Sequence, residues 1–174
     1  QFYVGGRHRN ADNSMTGYGM KKFIDVTCNG SDNGWGTSRS YYYEVSEMRL
    51  ADVYLMYAEA VNEVYGPTTA PAHITGGITA AEAVNIVRRR VEVSPGVSLP
   101  DVDAQYLNMD AFREIIVQER AVELAYEGHR WFDLRRWHRS HLPEYREKWA
   151  LEYDKDHTYF KPVLQQTIVF EDKH

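Results

Sequence analysis

The sequence predicts a mainly α-helical protein of stacked helical hairpins, with long irregular loops and a little peripheral β-structure. Residues 47–65 and 111–127 contain no helix breaker and repeat apolar side chains at helical spacing. Residues 79–82 form a Thr-x-x-Glu pattern that is typical of a helix start. Both long stretches are followed by a glycine, which commonly closes a helix.

Three segments follow from this pattern. Residues 1–45 are rich in turn formers and predict a loop-rich segment, in which 21–27 are compatible with one short strand. Residues 46–150 carry the predicted helical hairpins, and residues 151–174 predict an extended segment. Pro162 excludes a central strand from that last segment, because proline has no N–H to give to a ladder.

The predicted elements of the helical segment are bounded by capping and breaking residues. They are a first helix from Glu47, after Ser46, to Tyr65; a second after Thr79; a loop over Pro95–Pro100; a main helix from Ala111, after Asp110, to Glu127; and a fourth from His129 to about Arg139.

The main helix is predicted to lie in the core, because it is apolar on two opposite faces. One face comprises Phe112, Ile115, Ile116, Val122 and Tyr126, and the other comprises Val117, Ala121, Leu124 and Ala125. Trp131, Phe132 and Trp137 follow at helical spacing, and we predict that they too are core residues rather than a stacking platform.

Charges on this core helix predict internal ion pairs. Glu119 falls within an apolar face, and a carboxylate removed from water must be paired or protonated. The following helix offers arginines at short range, so the predicted structural lattice comprises Glu119, Arg120, Glu123, Arg130, Arg135 and Arg136. The alternative is a catalytic pair formed by Glu119 and Glu123, which the many arginines disfavour because they hold carboxylates ionised. The run Arg88-Arg89-Arg90 is interpreted as ion-pair partners and surface charge.

Two stretches, in the right order along the chain, resemble the SusD/RagB family of nutrient-binding lipoproteins on the outer membrane of Bacteroidetes. The signature near the C-terminal end of that family is matched by ERAVELAYEGHRWFDLRRW, residues 119–137. Its other recurrent helix is matched by RLADVYLMYAEAVNE, residues 49–63.

The resemblance implies that residues 1–174 are the C-terminal portion of a larger SusD/RagB-like domain. It implies tetratricopeptide-like hairpins, and the starts of the first and main helices lie close to two such repeat periods apart. It also implies a surface-exposed position on the outer membrane, with a lipid anchor on a cysteine outside this sequence. The single cysteine, Cys28, does not follow a lipoprotein cleavage pattern.

Non-catalytic binding of oligosaccharide or polysaccharide nutrients is the function that the resemblance implies, with delivery to a TonB-dependent, SusC-like transporter. No enzyme activity and no cofactor are expected. The family also leaves peptide or glycoprotein ligands open.

From the chemistry of the residues alone, we assign the ligand side to the loop-rich segment. Sugars stack their apolar faces on aromatic rings, and nearby carboxylate and amide groups accept hydrogen bonds from their hydroxyls. The candidate residues are Asp32, Asn33, Trp35, Tyr41, Tyr42 and Tyr43. Packing of the same tyrosines onto the helices is the alternative.

Other classes of site have little support. The net charge of −5, with arginines mixed among glutamates, disfavours nucleic acid, and no apolar run reaches membrane-spanning length. His138 and His141 lack a third metal ligand at suitable spacing. Asp101 and Asp103 imitate a glycosidase pair but are predicted to cap the following turn.

Two alternative functions remain open from the residues. One is a helical-repeat scaffold that binds a peptide or protein segment along the polar stripe of Arg49, Asp52, Glu59 and Glu63, although a solvated face is the preferred interpretation of that stripe. The other, less favoured, is a glycoside hydrolase.

Overall fold

The computed structural model describes residues 2–6, 9, 16–19, 22–23 and 46–169. Its elements, in chain order, are α1 (Leu50–Tyr65), α2 (Ala80–Arg89), β1 (Glu92–Ser94), β2 (Val97–Ser98), α3 (Met109–Glu123), α4 (His129–Arg136), α5 (Pro143–Arg146), β3 (Glu147–Tyr153) and β4 (Phe160–Thr167). Helices occupy far more of the described residues than strands do, which confirms the mainly helical prediction.

The chain divides into two compact units. Unit 1 comprises Gln1–Glu44 with Asp133–His174, and unit 2 comprises Val45–Phe132. The predicted segments divide instead after residue 150, a position that lies inside β3. The β3–β4 hairpin therefore belongs to the same unit as the N-terminal residues.

The core of unit 2 forms where α1 packs against both α2 and α3. Its buried side chains are mostly small or branched, and alanines let the helix backbones approach closely. They are Ala51, Leu55, Ala58, Val61, Ala80, Ala83, Val84, Val87, Ala104, Phe112 and Ile116.

Helix α2 begins where its capping residue predicts. The Thr79 Oγ1 atom accepts a hydrogen bond of 3.0 Å from the Glu82 backbone N–H, which satisfies one of the unpaired donors of the first turn. Asn85, buried on this helix, accepts from the Val102 N–H at 2.8 Å and so fixes the loop that follows the small hairpin.

Helices α1 and α3 both have boundaries that differ from the predicted ones. Helix α1 begins at Leu50 because the Ser46 hydroxyl donates to the Met48 carbonyl instead of capping a helix. Helix α3 is capped by Asn108, whose side chain accepts from the Ala111 N–H at 2.8 Å, while Asp110 lies within the first turn.

The ends of these helices depend on backbone in the left-handed region. Gly66 closes α1 with φ of 78° and donates its N–H to the Asn62 carbonyl. Helix α3 ends at Glu123, before the predicted Glu127, and both Tyr126 and Gly128 have positive φ values, of 65° and 83°. Helix α4 ends at Arg136, three residues before the predicted position.

Parts of the predicted core are wrong. Val122 and Tyr126 are 63% and 66% exposed, since the inner face of α3 carries Phe112 and Ile116 and the helix stops before Tyr126. Trp131 and Phe132 are 58% and 69% exposed, so their helical spacing does not reflect burial.

A small hairpin replaces the predicted loop over Pro95–Pro100. Strands β1 and β2 are antiparallel, and Gly96 forms the turn between them with φ of 75°. The strands are too short, and too exposed, to produce an alternating pattern in the sequence.

Unit 1 contains the antiparallel pair β3 and β4, which places strand structure in the predicted extended segment. Pro162 lies opposite Leu151, whose N–H donates to the Thr16 carbonyl rather than to β4. The missing N–H of Pro162 therefore breaks no hydrogen bond of this ladder, as expected for a strand at a sheet edge.

The cap of α2 gives the first testable prediction. Thr79→Ala removes the hydroxyl acceptor and should lower the free energy of unfolding by about 1 kcal/mol. Urea denaturation followed by circular dichroism measures the loss. Thr79→Ser keeps the acceptor and should stay near the wild-type value, so equal losses in both variants would contradict a capping role.

Candidate functional site

The predicted ligand residues Asp32, Asn33, Trp35, Tyr41, Tyr42 and Tyr43 lie outside the described residues. Their assignment therefore stays a prediction from chemistry. Within the described residues, the features that bear on function are the interhelical ion pairs and a surface pocket of unit 2.

A buried ion pair joins α1 to α3. The Arg120 guanidinium donates to the Asp52 carboxylate at 2.8 Å, and both side chains are only 4% exposed. Burying both charges removes them from water, and their pairing offsets part of that cost.

Arg49, the residue before α1, binds two glutamates near the end of α3. Its Nε atom donates to Glu127 at 2.8 Å, and its Nη1 atom donates to Glu123. The hydrogen bond to Glu127 is the main cause that raises the pKa of Arg49 above its ordinary value. This guanidinium therefore stays charged and fixes the chain entering α1 against the segment that follows α3.

The end of α2 and the residue after it supply further guanidinium partners for carboxylates of α3. Arg88 pairs with Glu119, whose side chain is 14% exposed, and Arg90 pairs with Glu123. Glu119 is thus paired with a guanidinium of α2. The interhelical network of unit 2 links α3 to both α1 and α2.

The remaining arginines of the predicted lattice lie on α4. Arg130 donates to the Val117 carbonyl at 3.4 Å, Arg136 donates to Asp133 at 2.9 Å, and Arg135 is exposed on α4. The grouping of all six residues in one lattice remains a proposal.

The prediction of a solvated polar stripe on α1 is wrong for Asp52, and Arg49 is engaged by glutamates of unit 2. Asp52 lies one turn before the fully buried Leu55, so the face that looks hydrophilic is turned inward. Sequence reasoning missed both residues as network members.

The acidic residues considered as catalytic pairs are all hydrogen-bonded. Asp101 accepts from Arg89 at 2.8 Å, and this bond lowers the pKa of its carboxyl. Asp103 accepts from the Gln105 N–H at 3.1 Å, which is a turn-capping bond. A general acid needs a raised pKa, and arginine partners act in the opposite direction.

An open pocket of about 390 Å³ lies between α1, the loop before α2, and α2 itself. Its walls are mainly aliphatic and aromatic: Leu50, Val53, Tyr54, Tyr57, Ile74, Gly76, Gly77, Ile78 and Ile86. The Tyr57 hydroxyl donates to the Ile78 carbonyl at 2.9 Å and accepts from the Ile78 N–H at 3.2 Å. The volume is within the range of small-ligand sites, and the chemistry of the walls suits an apolar group.

The described residues contain no group of three or more His, Cys, Asp or Glu side chains arranged to hold a metal ion. In the same part of the chain, no helix combines the length and the apolar character that crossing a bilayer requires.

Comparison with known proteins places the chain in a family. The family model described as the SusD family matches residues 4–173, which is nearly the whole chain. The chain therefore belongs to the SusD family, as the two sequence stretches indicated.

Similar curated proteins come from Formosa agariphila. SusD-like protein P2 is 35% identical over 105 residues, which cover 60% of this chain and 18% of that protein. SusD-like protein P25 is 42% identical over 51% of this chain and 14% of that protein, and SusD-like protein P38 is 30% identical over 70% and 24%. The matches thus span less than a quarter of each relative. No solved structure matches significantly.

The buried ion pair gives the second prediction. Asp52→Asn removes the charge that Asp52 contributes to its buried pair with Arg120 and should cost about 3–5 kcal/mol of folding free energy. Glu119→Gln, which breaks a less buried pair, should cost about 2–4 kcal/mol. Equilibrium urea denaturation measures both losses.

The matched control is Asp110→Asn, which breaks the pair of an 84% exposed carboxylate with Arg113. It should cost no more than about 1 kcal/mol. A wild-type free energy of unfolding for Asp52→Asn would contradict a stabilising role for the Asp52–Arg120 pair.

Proposed function

We propose that this chain is the C-terminal portion of a surface-exposed SusD-like protein that binds oligosaccharide or polysaccharide nutrients without chemical conversion. Membership of the SusD family over residues 4–173 is the observation that carries this proposal. The bound glycan would be delivered to a TonB-dependent, SusC-like transporter in the outer membrane. A lipid anchor on a cysteine outside this sequence would hold the protein there.

The architecture proposed with this function is a tetratricopeptide-like stack. Helices α1 and α2 form one antiparallel hairpin candidate, and α3 with α4 form the next along the chain. Packing of α1 against both α2 and α3 supports this arrangement. The loop-rich segment of residues 1–45 would then carry the ligand side, and residues 151–174 the extended segment.

The proposed glycan contacts are Asp32, Asn33, Trp35, Tyr41, Tyr42 and Tyr43. An indole and three phenol rings offer flat faces for pyranose rings, and the Asp32 and Asn33 side chains offer acceptors and donors for hydroxyl groups. Binding of this kind needs no activated nucleophile and no proton donor.

Affinity electrophoresis tests the proposal. The chain is run through native gels that contain laminarin, xylan, mannan or alginate, beside gels without polysaccharide. We expect retardation by one of these glycans and its loss in Trp35→Ala, because the indole face is removed. Tyr106→Ala, which removes an 85% exposed ring of unit 2, serves as the control and should be retarded like the wild type.

Folded protein that migrates freely through every glycan gel would contradict glycan binding by this chain. Retardation that persists in Trp35→Ala would support glycan binding but contradict the assignment of Trp35 as a ligand contact. Release of reducing sugar during the assay, abolished by Glu119→Gln in protein that remains folded, would instead establish the hydrolase alternative.

A second candidate function is supported by the apolar pocket of unit 2. A helical scaffold that binds a peptide segment would accept an apolar peptide side chain between Val53, Tyr54 and Ile74. Val53→Asp should then abolish peptide capture while leaving glycan retardation unchanged. Loss of glycan retardation in Val53→Asp would contradict a role of the pocket that is specific to peptides.

A further inference from the structure

The β3–β4 hairpin carries a row of large apolar side chains on one face. Residues directly opposite each other in an antiparallel ladder project to the same side, and alternate residues of a strand share that side. The three consecutive pairs of this kind are Trp149 with Leu164, Leu151 with Pro162, and Tyr153 with Phe160. They form a strip roughly 14 Å long from Trp149 to Tyr153 at the rise of an extended strand.

This strip faces outward. Trp149, Phe160 and Leu164 are 50%, 61% and 43% exposed, whereas Ala150, on the opposite face, is 1% exposed. The hairpin therefore buries Ala150 and leaves Trp149, Phe160 and Leu164 exposed, while Leu151 and Tyr153 are half-buried. Contiguous exposed apolar groups of this size are typical of a binding surface.

Three rings gather at the end of the strip where the hairpin turns. The ring centroids of Tyr153 and Phe160 are 5.8 Å apart, and the His157 ring lies 5.5 Å from the first and 6.0 Å from the second. These separations are within the range of favourable aromatic contacts. The cluster presents a ring surface, not a set of isolated side chains.

The turn that carries the cluster is held by its own hydrogen bonds. Asp154 accepts from both the N–H and the hydroxyl of Thr158 at 2.6 Å, and these bonds lower the pKa of its carboxyl. His157 adopts a left-handed backbone with φ of 57° within this turn. The rings are thus positioned before any ligand arrives, which lowers the entropy cost of binding.

Groups that donate and accept hydrogen bonds lie at both ends of the strip. The Trp149 Nε1 atom donates to the Glu147 carboxylate at 3.1 Å, so an acceptor sits beside the indole edge. The exposed turn adds Lys155 and Asp156. Sugar hydroxyls both donate and accept hydrogen bonds, so a hairpin that carries aromatic rings together with carboxylate and ammonium groups offers a glycan both kinds of contact.

We propose that the outward face of the β3–β4 hairpin is a second glycan-binding surface, on which an extended polysaccharide strand stacks against Trp149, Tyr153 and Phe160. This inference rests on the proposed function. It locates a contact surface more than a hundred residues along the chain from the candidate loop at residues 32–43. The linear strip favours an extended chain of pyranose rings over a compact ligand.

The test compares retardation coefficients in laminarin, xylan, mannan and alginate gels for the 174-residue chain and three variants. The double variant Trp149→Leu, Phe160→Leu keeps apolar side chains in the ladder but removes the flat rings. We expect it to bind glycan about tenfold more weakly than the wild type. Phe160→Leu alone changes the more exposed of the two rings and should weaken binding about threefold. Tyr106→Leu should bind like the wild type, and circular dichroism confirms folding of each variant.

The outcomes separate this inference from the proposed function. A wild-type chain retarded by a glycan, with the double variant retarded equally, overturns the hairpin surface and leaves glycan binding intact. A wild-type chain that is retarded by none of the glycans contradicts both the hairpin surface and the proposed function. Self-association of the wild type in size-exclusion chromatography, lost in the double variant without any change in retardation, would assign the strip to contact between two copies and overturn it as a glycan surface.

Discussion

The pairing of Asp52 with Arg120 is the constraint on which the structure of unit 2 depends. Two opposite charges, each 4% exposed, sit between α1 and α3, where neither can be hydrated. Rotating α1 about its axis would separate them, so the pair fixes which face of the helix points inward. Arg49, one residue before the helix, adds the same constraint through Glu123 and Glu127.

The rotation set by these charges also determines the surface of α1. With Asp52 and Leu55 directed inward, Leu50 and Val53 are left 67% and 43% exposed and become walls of the pocket. The apolar pocket is thus a consequence of the buried polar pair. A helix that buried all its apolar residues would have no such concavity beside it.

Sequence reasoning succeeded where the signal is local or where a motif is long. The Thr79 cap, the edge position of Pro162 and the family assignment are of this kind, since each depends on neighbouring residues alone. It failed for Val122 and for Asp52, because periodicity shows which side chains share a face but not which face meets a partner. The partner of Asp52 is 68 residues away, and no local pattern distinguishes a buried aspartate from a solvated one.

The same reasoning explains why the hairpin strip was not anticipated. Alternation along β3 would ordinarily place Trp149, Leu151 and Tyr153 against a core, yet the buried residue is Ala150.

Exposed apolar surface is present in both units, but the polar groups beside it differ. The pocket of unit 2 has mainly apolar walls and a tyrosine hydroxyl already engaged with backbone, whereas the hairpin places an exposed indole beside a carboxylate. A glycan needs both an apolar face and a polar rim, so of these two surfaces the hairpin is the one whose chemistry matches the proposed ligand.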